Sequence, residues 1–225
     1  MRPGRAGLCD NRRMQGTSER EGVIKFVFEQ VEKGPVGASG LTRLAGWRQV
    51  LRRLALLGRD PQRYEGVAFG NVSQRRAAGA PGFFISGSQT GGLEQLGPEH
   101  WVEVLDCEPE RNFLRCRGSA APSAESMTHA AVYAQSPRIR CVLHGHSPEL
   151  WRAAARLGLP ETAAEVPYGT PAMAREVGRL FAETAVARQG IFVMAGHEDG
   201  VIALGGSPDQ AGRRLVTALA RALAD

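Results

Sequence analysis

Apolar positions along this chain follow two periods, and the periods change over from segment to segment. Between Glu21 and Glu32, Val23, Ile24, Val27, Phe28 and Val31 recur at helical spacing, which predicts a first helix. The stretch 41–57 has the same period and ends at Gly58, predicting a second helix. Shorter runs with strand character follow at 66–73, 82–86, 101–106 and 112–117, parted by turn signals such as Gly79-Ala80-Pro81-Gly82. Pro122 and Ser123 open a predicted helix that runs to about Ala134. The apolar run Ile139-Arg140-Cys141-Val142-Leu143 predicts a strand ending in His144-Gly145-His146. A short helix near 148–157, an extended connection to Tyr168 and a helix over 171–188 come next. Strands at 191–195 and 201–204 and a closing helix at 208–224 complete the pattern. Helices flanking a β-rich middle predict a layered α/β domain.

The histidine triplet carries the most specific chemistry. Side chains two residues apart on a strand share a face, so His144 and His146 project side by side while Gly145 leaves room on the other face. A third histidine, His197, lies in Gly196-His197-Glu198-Asp199-Gly200 after another apolar run, and the chain holds only five. Three imidazoles with one open position suit a catalytic divalent metal, zinc first, with cobalt, nickel, iron or manganese as alternatives. The plain alternative is a set of satisfied core histidines. Cys141, three residues before His144, alternates to the opposite face and reads as a small buried hydrophobe.

Glu125 falls in the first turn of a predicted helix, where the backbone dipole favours a carboxylate, and His129 is placed to pair with it four residues on. It is a candidate acid/base group. The segments Gly70-Asn71-Val72-Ser73 and Gly87-Ser88-Gln89-Thr90-Gly91-Gly92 offer amides and hydroxyls that suit an anion such as phosphate. Each alone is equally ordinary turn chemistry. Neither matches the lysine-containing nucleotide loop or the dinucleotide fingerprint.

Composition narrows the class. With 225 residues, 43% hydrophobic and 23% charged, the chain can fill one core or two small ones as a soluble protein. No apolar run approaches about 18 residues, so no membrane span is expected, and the first residues lack the apolar stretch of a signal peptide. Of the net charge of +5, residues 1–20 carry +3, from five arginines against Asp10 and Glu19. The basic residues are not gathered with aromatics, so a nucleic-acid role is not expected. Residues 1–20 read as a disordered basic leader, with Met14 as an alternative start, ahead of one domain over 21–225. The four cysteines form no CxxC pair, which points to reduced thiols and a cytoplasmic location.

Taken in order, Gly70-Asn71-Val72-Ser73-Gln74-Arg75, Phe84-Ile85-Ser86-Gly87-Ser88-Gln89-Thr90-Gly91, Pro122-Ser123-Ala124-Glu125 and His144-Gly145-His146 resemble the class II aldolase/adducin family, with Tyr168-Gly169-Thr170 in support. The resemblance covers about residues 20–225. It implies a three-layer αβα sandwich with a central, mostly antiparallel sheet, assembled as a homotetramer with sites at subunit interfaces. It implies zinc held by His144, His146 and His197, Glu125 as the acid/base, and a phosphate held around Asn71, Ser88, Thr90, Gly91 and Ser123. The implied activity is a metal-dependent aldolase cleaving or forming a C–C bond in a small hydroxy-carbonyl compound, a sugar phosphate, through a zinc-bound enediolate. Epimerase, dehydratase or decarboxylase chemistry on the same scaffold is the alternative, as is a non-catalytic adducin-like module.

The pattern departs from the family in three places. Glu198 and Asp199 separate His197 from its glycine, so either is a minor candidate for the metal site. Ala124 replaces a second serine before Glu125. Among Tyr64, Tyr133 and Tyr168 none is an evident counterpart of the family's catalytic tyrosines. A lysine Schiff base is disfavoured, since the only lysines are Lys25 and Lys33.

Overall fold

A computed structural model describes residues 21–37 and 39–224. The expected leader, residues 1–20, and the alternative start at Met14 lie outside the described residues. The strands are β1 (Val27–Glu32), β2 (Gly58–Arg59), β3 (Ala68–Phe69), β4 (Asn71–Arg75), β5 (Phe83–Ser86), β6 (Trp101–Glu108), β7 (Phe113–Gly118), β8 (Cys141–His146), β9 (Ile191–Val193) and β10 (Gly200–Gly205). The helices are α1 (Thr42–Arg53), α2 (Ser126–Ala134), α3 (Pro148–Arg152), α4 (Ala154–Leu157), α5 (Pro171–Glu183), α6 (Val186–Gln189) and α7 (Pro208–Leu223).

Eight strands form one sheet in the order β1-β7-β6-β5-β4-β8-β10-β9. Every pairing is antiparallel except β1 with β7 at one edge. Because side chains alternate across a strand, the sheet sorts its residues into two cores. Cys141, Leu143, Val201 and Ala203 face one core, which α1, α3 and α7 cover through Leu44, Leu51, Leu150, Leu215 and Leu219. Val142, Ile202, Leu204 and Phe192 face the other, covered by α2 and α5 through Met127, Val132, Met173, Val177 and Leu180. The result is the three-layer αβα sandwich with a mostly antiparallel sheet. Cys141 is buried on the face away from the histidines, as its spacing predicts.

The expected first helix does not form. Residues 27–32 are instead strand β1, in register with β7 from Val27 opposite Phe113. The supposed helical stripe is not a buried face: Val27 is 66% exposed while Phe26 is buried. Two β-branched valines beside an unpaired sheet edge prefer the extended chain. The expected helix over 171–188 also breaks, at Thr184, into α5 and α6. Three helices start with a hydroxyl cap followed by proline: Ser147, Thr170 and Ser207 each accept a hydrogen bond from the third residue on. No helix among the described residues is long and apolar enough to cross a membrane.

The ladder registers bring the chemistry to one end of the sheet. His144 pairs with Asn71 on one side and Ile202 on the other, and His146 pairs with Gly200. Ser86, the last residue of β5, pairs with the first residue of β6, and Gly118, the last of β7, pairs with Val102. Thus the glycine-rich loop after β5, the start of α2 after β7, and the β9–β10 turn that carries His197 all gather where β8 ends.

Candidate functional site

His144 and His146 lie on the face of β8 that looks toward α2 and α5, and both are fully buried. The intervening glycine is required by the opposite face. A Cβ on Gly145 would lie 3.0 Å from the Leu56 carbonyl oxygen and 3.4 Å from its Cβ, and the His146 amide donates to that same carbonyl at 2.7 Å. The third histidine arrives on the turn between β9 and β10. There the His197 amide donates to Met194 and the Gly200 amide donates to His197, with Asp199 in the left-handed region at φ 61°. Those two bonds accommodate the residues Glu198 and Asp199 and still bring His197 against the pair.

The three rings meet, with one nitrogen of each within 4.8 Å of the others. The Nε2 atoms of His144 and His146 are 3.1 Å apart. Two ligands on one tetrahedral zinc, each at about 2.0–2.1 Å, are roughly 3.3 Å apart, so this spacing fits a shared ion. The His144 Nδ1 lies 3.3 Å from the Val201 carbonyl. A carbonyl only accepts, so that nitrogen carries the proton and Nε2 is left as a lone pair facing inward. An outer nitrogen held by backbone is the usual support of a metal-binding imidazole.

Two carboxylates complete the cluster. Glu125 stands at the N-cap position of α2, 2% exposed, with its side chain turned from the helix amides and Oε1 3.2 Å from His197 Nδ1. Neither Glu125 oxygen has a hydrogen bond of good geometry. A buried carboxylate without donors is costly, and a nearby cation is the usual remedy. Glu21 was not anticipated: its Oε2 lies 2.6 Å from His197 Nε2 and 3.6 Å from His146 Nε2. A single carboxylate in a segment of helical period gave no sequence signal.

Protonation follows the burial. Burial lowers the pKa of His144 and pushes that of His146 well below the usual range, so both are neutral at pH 7. Burial also opposes charge on His197, but Glu125 and Glu21 together raise its pKa to about 10. Burial would raise Glu125, yet His197 and His144 bring it down to about 2. Without a metal the cluster therefore pairs the buried Glu125 carboxylate with the His197 imidazolium. A divalent cation could take the place of the His197 proton, and the donor set of imidazole and carboxylate suits zinc.

The remaining candidates divide. Asp199 turns away: its Oδ2 accepts from the Tyr64 hydroxyl at 2.7 Å, and Glu198 is exposed. His129 does not pair with Glu125. Its Nδ1 meets the Ser73 hydroxyl at 2.7 Å, and the helix starts at Ser126 rather than Ser123. Ser123 instead accepts from the Glu125 amide at 3.3 Å and its carbonyl accepts from Ser126, which fixes Glu125 at the helix start. Asn71 is buried with its Oδ1 unmatched, and Ser88 is half-buried in the loop. The Thr90 hydroxyl is used internally, donating to Gly87 at 2.7 Å. Gly91 packs where a Cβ would meet the Phe69 and Gly58 carbonyl oxygens at 2.5 and 2.8 Å.

Of three further residues near the site, Arg48 and Tyr64 carry no motif in the sequence, while Tyr168 belongs to the supporting match Tyr168-Gly169-Thr170. Arg48 of α1 is buried beneath the glycine-rich loop and donates to the carbonyls of Thr90, Gly91, Leu93 and Glu94. Burial brings its pKa to about 10, which leaves it charged at pH 7. Tyr168 stacks on His197 with ring centroids 4.4 Å apart, and Tyr64 meets His146 edge-on at 4.8 Å. Tyr64 and Glu65 are held at φ 50° and 56°, a sparsely populated region that persists only when surrounding contacts impose it.

Residues 54–222 match the family profile described as class II aldolase and adducin N-terminal domain. The chain belongs to the class II aldolase and adducin family. The methylthioribulose-1-phosphate dehydratase of Gluconacetobacter diazotrophicus is 31% identical over 103 residues, 45% of this chain and 46% of that protein. The match thus spans less than half of that relative. Among solved structures, L-fuculose-1-phosphate aldolase from Thermus thermophilus superposes with a TM-score of 0.59 at 19% identity, over 80% of this chain and 89% of its own. YgbL from Klebsiella pneumoniae, a candidate aldolase/epimerase/decarboxylase, gives 0.60 at 16% identity, over 84% and 89%. At these identities the superpositions establish the fold.

Proposed function

We propose that this family member is a divalent-metal-dependent lyase acting on a small phosphorylated hydroxy-ketone, with aldol cleavage or formation of a C–C bond as its reaction. The observation that carries this reading is the meeting of three buried imidazoles beside Glu125, a buried carboxylate whose Oε1 lies 3.2 Å from His197 Nδ1. His144, His146 and His197 would hold the ion, zinc by preference. Bound there, it would act as a Lewis acid toward the substrate carbonyl and the hydroxyl beside it.

The chain's own residues supply the rest. Glu125, held ionised in an enclosed site, exchanges a proton with the carbon next to the carbonyl. In aldol cleavage the hydroxyl on the second carbon from the carbonyl gives its proton to Glu125 and becomes an aldehyde as the carbon–carbon bond breaks, and Glu125 delivers that proton to the carbon left beside the carbonyl. The glycine-rich loop, with Asn71, Ser88, Thr90, Gly91 and Ser123, fixes the phosphate, and orientation comes from this remote grip. Arg48, charged and buried beneath the loop, adds a fixed positive field and holds the loop carbonyls inward. The same proposal includes a homotetramer. Cys107, Cys116 and Cys141 are free thiols, which supports a reducing cytoplasmic setting.

Dehydration is the second reading, supported by the 31% identity to a dehydratase. There Glu125 removes the proton next to the carbonyl, and the hydroxyl on the following carbon leaves as water. A screen of sugar phosphates and unphosphorylated hydroxy-ketones with metal-reconstituted protein, read by NMR, tests both. Two shorter products mean aldol cleavage, and an intact skeleton short of one water means dehydration. Turnover of neither class with any divalent metal would overturn the lyase assignment.

A further inference from the structure

We propose that Glu21 is a fourth donor of the metal centre, one that substrate must displace. This rests on the three-histidine site proposed above. Glu21 Oε2 is 2.6 Å from His197 Nε2 and 3.6 Å from His146 Nε2, so it lies among the inward-facing nitrogens rather than behind them. Glu125, by contrast, approaches His197 at the outer nitrogen, Nδ1. The two carboxylates thus have different places: Glu125 supports a ligand and Glu21 stands where a ligand would. Its side chain is only 10% exposed, although it comes from a segment outside the sheet.

The segment that carries Glu21 is pinned on both sides. The Val23 amide donates to the Tyr168 hydroxyl at 3.0 Å, and that hydroxyl donates back to the Val23 carbonyl at 3.2 Å. The Lys25 ammonium sits 3.4 Å from the centre of the Tyr168 ring, which also stacks on His197. Gly22, at φ +73°, passes so close to the glycine-rich loop that a Cβ there would lie 2.6 Å from Gln89 Nε2. The chain therefore crosses between the proposed phosphate loop and the histidines, over the region a phosphorylated ketone would span. Glu21 offers the centre an oxygen of the kind the substrate's hydroxyl or carbonyl would offer in its place. Release of Glu21 opens that position, and the strap moves with it.

The test uses the full-length protein loaded with cobalt(II), whose visible bands report the ligand set. Wild type is compared with Glu21→Gln and with Gly22→Val, which displaces the strap while keeping the carboxylate. Thermal unfolding checks that each variant is folded. Affinity for cobalt(II) is measured separately by chelator competition. Both variants should shift the cobalt bands, and Glu21→Gln should lose affinity by about tenfold or more. Superimposable spectra and equal affinity in folded Glu21→Gln would overturn the fourth-donor assignment and leave the three-histidine site standing. A wild type that binds no cobalt at all would overturn both.

Discussion

Oε1 of Glu125 lies 3.2 Å from Nδ1 of His197, while Glu21 takes the other ring nitrogen, Nε2. One carboxylate at the start of α2 is thereby tied to the imidazole delivered by the β9–β10 turn. The contact helps to orient His197 although Glu198 and Asp199 separate it from Gly200. It also leaves Glu125 ionised, buried and close to the reacting region.

Glu125→Gln removes the charge and keeps the shape. Metal content should stay near that of wild type, because Glu125 meets the outer ring nitrogen of His197. Proton exchange at the carbon next to the substrate carbonyl should fall by about 10²- to 10⁴-fold. Deuterium incorporation followed by NMR measures it, and undiminished exchange would remove Glu125 from the chemistry.

Arg48→Met leaves four loop carbonyls without their shared donor. Stability should drop by about 3 kcal/mol in urea titration, since hydrogen bonds to a buried charge are the costly ones to lose. If the loop grips phosphate, KM should rise much more than kcat falls, because remote binding is lost evenly from ground and transition states. An unchanged KM would separate the loop from substrate.

Gly91→Ala places a methyl group against the Phe69 and Gly58 carbonyls at 2.5 and 2.8 Å. Backbone cannot yield as a flexible side chain would. A loss of about 1–3 kcal/mol is expected in chemical denaturation. Wild-type stability would show that the loop has slack.

His129 supplies a pH signature apart from the metal ligands. Burial brings its pKa down to about 3, so in the folded chain it stays neutral where the unfolded chain, near 6.5, takes up a proton. Stability from this source is full above pH 6.5 and is lost as pH falls toward 3. Between pH 7 and 5 the loss should be about 2 kcal/mol. Denaturation of wild type and His129→Leu at both pH values measures it as a difference in slope, so the packing change cancels. Parallel slopes would contradict a buried neutral imidazole.

Much of the architecture was legible because burial imposes a clear period. The alternation of Cys141, Val142 and Leu143 assigns β8 to the sheet, and it places His144 and His146 on one face before any contact is known. Helices α3, α5 and α7 were expected from about Pro148, Pro171 and Pro208, where they begin. Strand β1 misled because Val27 and Val31 are apolar yet exposed at a sheet edge, so their spacing reports no buried stripe. The site was legible as far as it consists of motifs. Glu21, Arg48 and Tyr64 reach it through contacts between residues up to 176 positions apart, and no local pattern encodes those; Tyr168 stood in a supporting motif, but its stacking on His197 did not show there.

The central claim is that His144, His146 and His197 hold one divalent ion. Elemental analysis of purified wild type, His144→Ala and His146→Ala, after dialysis against metal-free buffer, tests it most directly. The account predicts about one divalent ion per chain in wild type and a large loss in both variants. Equal metal content in all three proteins would contradict it.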